Sequence, residues 1–227
     1  MTPDRYQKLC TTLNRRQPDL TLLADEVHKP HNLAAIVRTC DAVGIQTVHL
    51  CNPNIRERSL RGRSMGSSRW VDVEKHANTV EAAKTLKAKG FKIYAAHFTD
   101  QAKHYHELDY TIPCALLVGS EKRGVSPEAA EIADEHVIIP MQGMVQSFNV
   151  SVAAAIILME AQRQRQAAGL YDQCRIPEEL RPDIMFRWGY PELARYCDDR
   201  NLDYPDLNDE GQLVDPEIWY SKVRARA

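Results

Sequence analysis

The chain has 227 residues, 44% hydrophobic and 26% charged, which excludes wholesale disorder and suits one globular domain with an appendage. The longest apolar run, Val152 to Met159, is far too short to cross a bilayer, and no apolar stretch follows Met1-Thr2-Pro3-Asp4-Arg5, so neither membrane span nor secretory signal is expected. Net charge is −2, yet residues 1–70 carry 11 Lys/Arg against 6 Asp/Glu while residues 71–227 carry 18 against 25. Six cysteines never form C-x-x-C, the pattern of reduced thiols in a cytoplasmic protein.

Residues 1–19 are read as an amino-terminal helical arm. Leu20 to Val27 is predicted as a strand, after which Leu33, Ile36, Val37, Cys40 and Val43 recur at helical spacing before Gly44. Thr47 to Cys51 is a second strand. The stretch that follows holds Arg56, Arg58, Arg61, Arg63 and Arg69 against a single acid, Glu57. Two readings stand for it: a solvated loop, or a phosphate-binding arm, since arginine grips phosphate through two parallel hydrogen bonds. Trp70 to Val73, Phe91 to Phe98, Cys114 to Val118 and Val137 to Met141 are further strands. Helices are predicted over Val80 to Lys89, from Pro127 with Ser126 as cap, and over Asn149 to Ala168. This alternation argues an α/β fold with a mostly parallel sheet and helices on both faces. Past Leu170 the pattern is helical only (Pro177 to Trp188, Pro191 to Arg200, Ile218 to Arg224), so the domain is placed at 20–165 with a helical extension over 166–227. The acidic stretch Asp198 to Glu217 reads as a solvated tail or a helix that avoids nucleic acid.

Ligands of parallel sheets bind beyond the carboxyl ends of the strands. That nominates the loops Ala96–Asp100, Gly119–Gly124 and Met141–Ser147. Familiar chemistries fail the test of motif. No G-x-G occurs, so the dinucleotide fingerprint is missing. Gly119 to Ser126 comes near a P-loop but has Val125 where the motif needs lysine. His28-x-x-His31 and His104-x-His106 lack cysteine partners at zinc spacing, and no metal is expected. No nucleophile elbow is present, which points to a protein that positions and polarises rather than attacks.

Three segments carry a resemblance. They are His31-Asn32-Leu33-Ala34-Ala35-Ile36-Val37-Arg38-Thr39, Leu116-Leu117-Val118-Gly119-Ser120-Glu121-Lys122-Arg123-Gly124, and Ile138 to Met141 leading to Met144-Val145-Gln146-Ser147-Phe148-Asn149-Val150-Ser151. In this order and spacing they resemble the SPOUT methyltransferases, in their SpoU branch, and among these the enzymes that methylate the ribose 2′-hydroxyl of guanosine-18 in the D-loop of tRNA. The resemblance implies a carboxyl-terminal trefoil knot, a homodimer, tRNA as partner, and S-adenosyl-L-methionine as cofactor. It assigns the cofactor to three loops, with Ala96, Val118, Gly119, Gly124, Ile139, Met141, Met144, Ser147, Phe148 and Asn149 as its expected contacts. The expected catalytic set is Asn32, Arg38, Glu121, Ser147 and Asn149.

Each residue keeps a plainer reading beside that one. Asn32 and Arg38 are six apart, about 600° around a helix, so they do not share a face. Asn32 is then a helix cap or a substrate clamp. Arg38 is a surface ion-pair residue or, as the motif implies, the group that stabilises developing negative charge on the reacting hydroxyl. Glu121 neutralises the sulfonium, orients Arg38, or forms a surface ion pair. Ser147 and Asn149 cap the last long helix, and such a cap also holds the cofactor loop. Gly119 and Gly124 let backbone approach an adenine or form a turn; Met141 and Met144 pack on the cofactor or in the core. For tRNA the expected contacts are Arg5, Arg16, His31, Arg58, Arg61, Arg63, Arg163 and Arg165, with Arg163 and Arg165 diverging by about 200° on their helix. Two rivals remain: a ribosomal RNA methyltransferase, and a catalytically silent knotted RNA-binding protein.

Overall fold

A computed structural model of the chain describes residues 1–52 and 69–226. By internal contacts it forms two units, Gln17–Tyr171 and the pair of end segments Met1–Arg16 and Asp172–Ala227.

In the larger unit β1 (Leu20–Asp25) is buried along its whole length, as a strand covered on both faces must be. It stops two residues before the expected end at Val27: Glu26 takes φ 51° and turns the chain out of the extended conformation, although its N–H still reaches the Cys51 carbonyl at 3.1 Å. Helix α2 (Pro30–Ala42) opens on a proline whose fixed φ suits the first turn, and Gly44 follows it with φ 83°. Then come β2 (Thr47–Cys51), β3 (Asp72–Lys75), α3 (Thr79–Ala88), β4 (Lys92–Ala96), β5 (Lys103–His104), β6 (Cys114–Val118), α4 (Pro127–Ile132), β7 (Glu135–Ile138) and α5 (Val150–Ala167). The sequence reading ran β7 on to Met141; Pro140 has no N–H to give a ladder, and the strand ends before it. β5 was not foreseen, since two polar residues leave no strand pattern.

The seven described strands lie in the order β3-β2-β1-β6-β4-β7-β5, and every pairing among them is parallel. Alternation along the strands splits the core in two. Leu22 and Leu116 face Ile36 and Val37 of α2 and Ile157 and Leu158 of α5. Their neighbours Leu23 and Leu117 face Ala83 and Leu86 of α3 and Ala129 of α4.

Arg165, near the end of α5, is fully buried. Its Nε donates to the Tyr110 carbonyl at 2.8 Å, one terminal nitrogen to Gln17 Oε1 at 3.0 Å and Asp19 Oδ1 at 2.7 Å, and the other to the carbonyls of Asp19 at 3.2 Å and Ile112 at 2.9 Å. A guanidinium has five N–H donors, and these acceptors take all of them. This corrects the expectation that Arg165 meets RNA: it ties α5 to the chain entering β1 and to the turn before β6.

In the smaller unit, α1 (Pro3–Asn14) packs against α6 (Arg181–Gly189), which is followed by α7 (Pro191–Asp198) and α8 (Pro216–Arg226). The helix expected over Pro177 to Trp188 is divided. A 3₁₀ turn, Glu178–Leu180, precedes α6, whose first turn holds Pro182, a residue without the N–H that one continuous helix would need. The amino-terminal ammonium donates to Tyr190 Oη at 2.9 Å, and that hydroxyl donates to the Gly211 carbonyl at 2.9 Å. Arg16 is fully buried, its guanidinium 5.0 Å from the centre of the Trp188 ring. That cation–π contact corrects a second expectation, because a charge buried under an indole is not presented to RNA.

Candidate active site

The three nominated loops follow β4, β6 and β7, and these strands are neighbours in the order β6-β4-β7. Their carboxyl ends therefore open side by side. β1 lies on the other side of β6, which adds the turn from Glu26 to Asn32 to the same rim. From β1 the chain builds β2 and β3 on one side, whereas β6 and β4 occupy the other. The crevice between β1 and β6 is thus where strand order reverses, the place where ligands bind in such sheets.

Side chains from three distant parts of the sequence meet at this crevice. Asn32 sits in the first turn of α2, buried, and its Nδ2 donates to Glu121 Oε1 at 2.6 Å. The Lys29 N–H reaches the same oxygen at 3.3 Å. Asn149 Nδ2 donates to Asn32 Oδ1 at 3.3 Å, while Asn149 Oδ1 accepts from the Ser151 N–H at 2.9 Å and so caps α5. One hydrogen-bonded chain therefore runs from the start of α5 through α2 to the loop after β6. Burial alone raises the Glu121 pKa, but hydrogen bonds from its own N–H, the Asn32 amide and the N–H groups of His28 and Lys29 outweigh it, and the net shift is downward. Glu121 is a fixed carboxylate, not a surface ion-pair partner.

The loop holding Glu121 is a closed turn. Ser120 and Gly124 exchange backbone hydrogen bonds at 2.9 Å in both directions. Gly124 adopts φ 70°, and a Cβ on Gly119 would overlap the Gly124 carbonyl. Both glycines serve the turn: one supplies a left-handed conformation, the other leaves room for backbone. Asp25, at the end of β1, anchors the turn from below. It accepts from the Ser126 N–H at 2.8 Å and from the Thr79 hydroxyl at 2.5 Å. The sequence reading missed this residue, although a carboxylate closing a strand whose only other polar residue is Thr21 was the available signal.

With this geometry in view, the relatives of the chain become informative. The SpoU rRNA Methylase family profile matches residues 19–159, and the SpoU, rRNA methylase, C-terminal profile matches residues 163–216. The chain belongs to the SpoU rRNA methylase family. It is 45% identical over 227 residues, 99% of both chains, to the tRNA (guanosine(18)-2′-O)-methyltransferase of Escherichia coli strain K12. A solved A. aeolicus TrmH/SpoU tRNA modifying enzyme superposes with a TM-score of 0.78 at 43% identity, covering 84% of this chain and 97% of that one. An AdoMet-bound rRNA methyltransferase from Sinorhizobium meliloti superposes with a TM-score of 0.58 at 30% identity, over 66% of this chain and 61% of that one. The SpoU methyltransferase AviRb from Streptomyces viridochromogenes, 25% identical with a TM-score of 0.57 over 68% of this chain and 62% of that one, is also solved with AdoMet.

Other expected residues of this SpoU chain fall into distinct settings. Arg38 is exposed on α2, whereas Asn32 is buried on it, as their angular separation requires. Asn32 is not the helix cap, a position held by Lys29. Val118 is buried at the end of β6, while Ala96, Ile139 and Met141 are half-buried at the rim. Met144 is fully exposed, Phe98 75% and Phe148 41%, so Met144 and Phe148 are not core residues and the rim carries uncovered apolar surface. Ser147 is exposed two residues before the cap of α5. Arg5 and His31 are exposed; Arg163 is exposed too and forms a bidentate pair with Glu160 at 2.7 and 2.8 Å. Arg69 stacks 4.8 Å over the Trp70 ring. Arg56, Arg58, Arg61 and Arg63 lie outside the described residues. No described helix is long and apolar enough to cross a membrane.

Proposed function

We propose that this chain transfers a methyl group from S-adenosylmethionine to the ribose 2′-oxygen of guanosine-18 in the D-loop of tRNA, in the cytoplasm. The observation that carries the reading is 45% identity along 99% of the chain to an enzyme named for that reaction. The rim of the sheet fits the cofactor: exposed Phe98, Met144 and Phe148 offer apolar faces to an adenosine and a methionyl chain, beside loops whose backbone can hydrogen-bond it. The loops Ala96–Thr99, Gly119–Gly124 and Ile139–Phe148 are assigned to hold it. When bound, the cofactor supplies a methyl group already activated by its sulfonium.

The protein's share is alignment and charge. Arg38, exposed about one and two-thirds turns beyond Asn32, is assigned to the reacting hydroxyl or its neighbouring phosphate. A guanidinium keeps its proton in proteins, so its work is to stabilise negative charge as the hydroxyl proton leaves. The chain Glu121–Asn32–Asn149 positions α2 against the cofactor loop. Arg5, His31, Arg163 and the arginines at 58, 61 and 63 are assigned to tRNA, and Arg163 can exchange Glu160 for phosphate.

Two features of the fold belong to the same reading. The carboxyl-terminal part is assigned a trefoil knot; β7 enters between β4 and β5, both earlier in the chain, as a rethreaded segment would. A homodimer is supported by Val152 and Met159, 44% and 52% exposed, seven residues apart and so on one face of α5. The test of the activity is mapping of ribose methylation after incubation with S-adenosylmethionine and either unmodified tRNA or ribosomal RNA. A new methyl on guanosine-18 of tRNA is expected. Methylation of ribosomal RNA with tRNA untouched overturns the substrate, and methylation of neither favours a silent RNA-binding protein.

A further inference from the structure

The β2–β3 end of the sheet gathers three side chains that the reaction does not use. In the parallel pairing of β2 with β3, His49 lies opposite Glu74. His76, two residues beyond, falls on the same face because side chains alternate along a strand. Its N–H extends the ladder to the Leu50 carbonyl at 2.9 Å. The register therefore brings three donor atoms to one point. His49 Nδ1 is 2.9 Å from His76 Nε2 and 3.3 Å from Glu74 Oε2, and His76 Nε2 is 3.8 Å from the same oxygen.

These lengths have a chemical meaning. Ligand atoms about 2.0–2.1 Å from a tetrahedral zinc ion stand about 3.3–3.4 Å from one another. The three sides of the triangle bracket that value, and two imidazoles with one carboxylate form a ligand set that zinc accepts. Neutral imidazoles are also what a metal needs. Burial, opposed by Glu74, pushes His49 down to about 4, so its ring is neutral near pH 7. The facing nitrogens of His49 and His76 stand at hydrogen-bond distance, 2.9 Å; a divalent ion can take the place of a proton between them.

We propose that His49, Glu74 and His76 bind a divalent transition-metal ion, zinc by preference, with water in the fourth position. The approach is from the Glu74 side, since the Glu74 side chain is 53% exposed, that of His76 25% and that of His49 7%. The ion acts as a brace. β3 is a four-residue strand at one end of the described sheet order, with three of its four residues exposed, and a metal bridging it to β2 adds a bond that side-chain packing does not. It has no part in methyl transfer, whose residues gather over β1 and β6. A second grouping, His104, His106 and Glu107, is drawn from one short exposed stretch and serves as the internal control.

The test is titration of the full-length, metal-stripped protein with cobalt(II), read by visible absorption, and with zinc, read by calorimetry. One equivalent is expected to bind with the intense absorption of a tetrahedral cobalt site, and zinc should raise the urea midpoint. Glu74→Gln, a change at an exposed side chain, and His76→Ala should each abolish the absorption. Loss of a supporting residue costs a metal site about 10–100-fold in affinity, so loss of a direct ligand should cost about 100-fold or more. His106→Ala should change nothing. No binding by the folded wild type overturns the proposal, as does binding that survives in both Glu74→Gln and His76→Ala.

Discussion

Asn32 and Arg38 share one helix and have opposite fates, one buried against Glu121 and one exposed. If Arg38 stabilises charge on the reacting oxygen, Arg38→Ala should fold and bind both S-adenosylmethionine and tRNA nearly as the parent does. Its single-turnover methyl transfer should fall by about 10²–10³-fold, some 3–4 kcal/mol of barrier. Lysine at that position restores charge without the planar fork and should recover little of the rate; a near-normal rate in Arg38→Ala would return the residue to a surface role. Glu121 makes a prediction in pH. Its folded pKa lies below the ordinary 4.5, so its stabilising contribution is complete above 4.5 and disappears as pH falls through the depressed value. Urea unfolding of the parent and of Glu121→Gln should therefore differ at neutral pH and converge as pH falls below 4.5 through the depressed value. A constant gap would mean that the carboxylate charge contributes nothing.

At the level of elements, the long helix α5 is held at both ends by polar side chains. Asn149 caps its start and links it to α2, and Arg165 locks its last turn to residues 17, 19, 110 and 112. Arg165→Met keeps much of the volume but removes a donor from the Asp19 carboxylate, the Gln17 amide oxygen and three backbone carbonyls. Breaking a buried pair on one side costs about 3–5 kcal/mol, so a loss near that size is expected in urea unfolding. Asp19 retains 16% exposure, which places the loss toward the lower end. A change within about 0.5 kcal/mol, typical of a surface substitution, would show that water replaces the guanidinium.

At the scale of the whole molecule, Val152 and Met159 leave one side of α5 exposed. Val152→Glu with Met159→Glu should convert a dimer into monomers in sedimentation and reduce transfer with it. A parent that sediments as an active monomer at micromolar concentration rules the dimer out. If five arginines between 56 and 69 meet phosphates, log affinity for tRNA should fall against log salt with a slope of about −3 to −5. Replacing Arg58, Arg61 and Arg63 together by alanine should flatten that slope and weaken tRNA, with cofactor binding unchanged. An identical slope in the triple variant would return the cluster to the solvated-loop reading.

The sequence by itself determined the parallel α/β class, six of the seven described strands, and the three loops that follow β4, β6 and β7. Buried parallel strands such as Leu20–Asp25 and Cys114–Val118 write continuous apolar runs, and Pro127 and Asn149 mark helix starts within a few residues. Such signals are local. Tertiary structure alone decided what depends on partners far along the chain. Asn32 finds Glu121 from 89 residues away, because the order of β1 and β6 in the sheet, not spacing, sets their turns side by side. Arg163 and Arg165 are two residues apart and chemically alike, yet one is exposed and the other spends every donor inside the protein. Likewise His49 and His76 become a metal-like pair only through strand register. Burial and convergence belong to the packed chain, since a side chain's surroundings come mostly from residues that its own neighbours in sequence do not name.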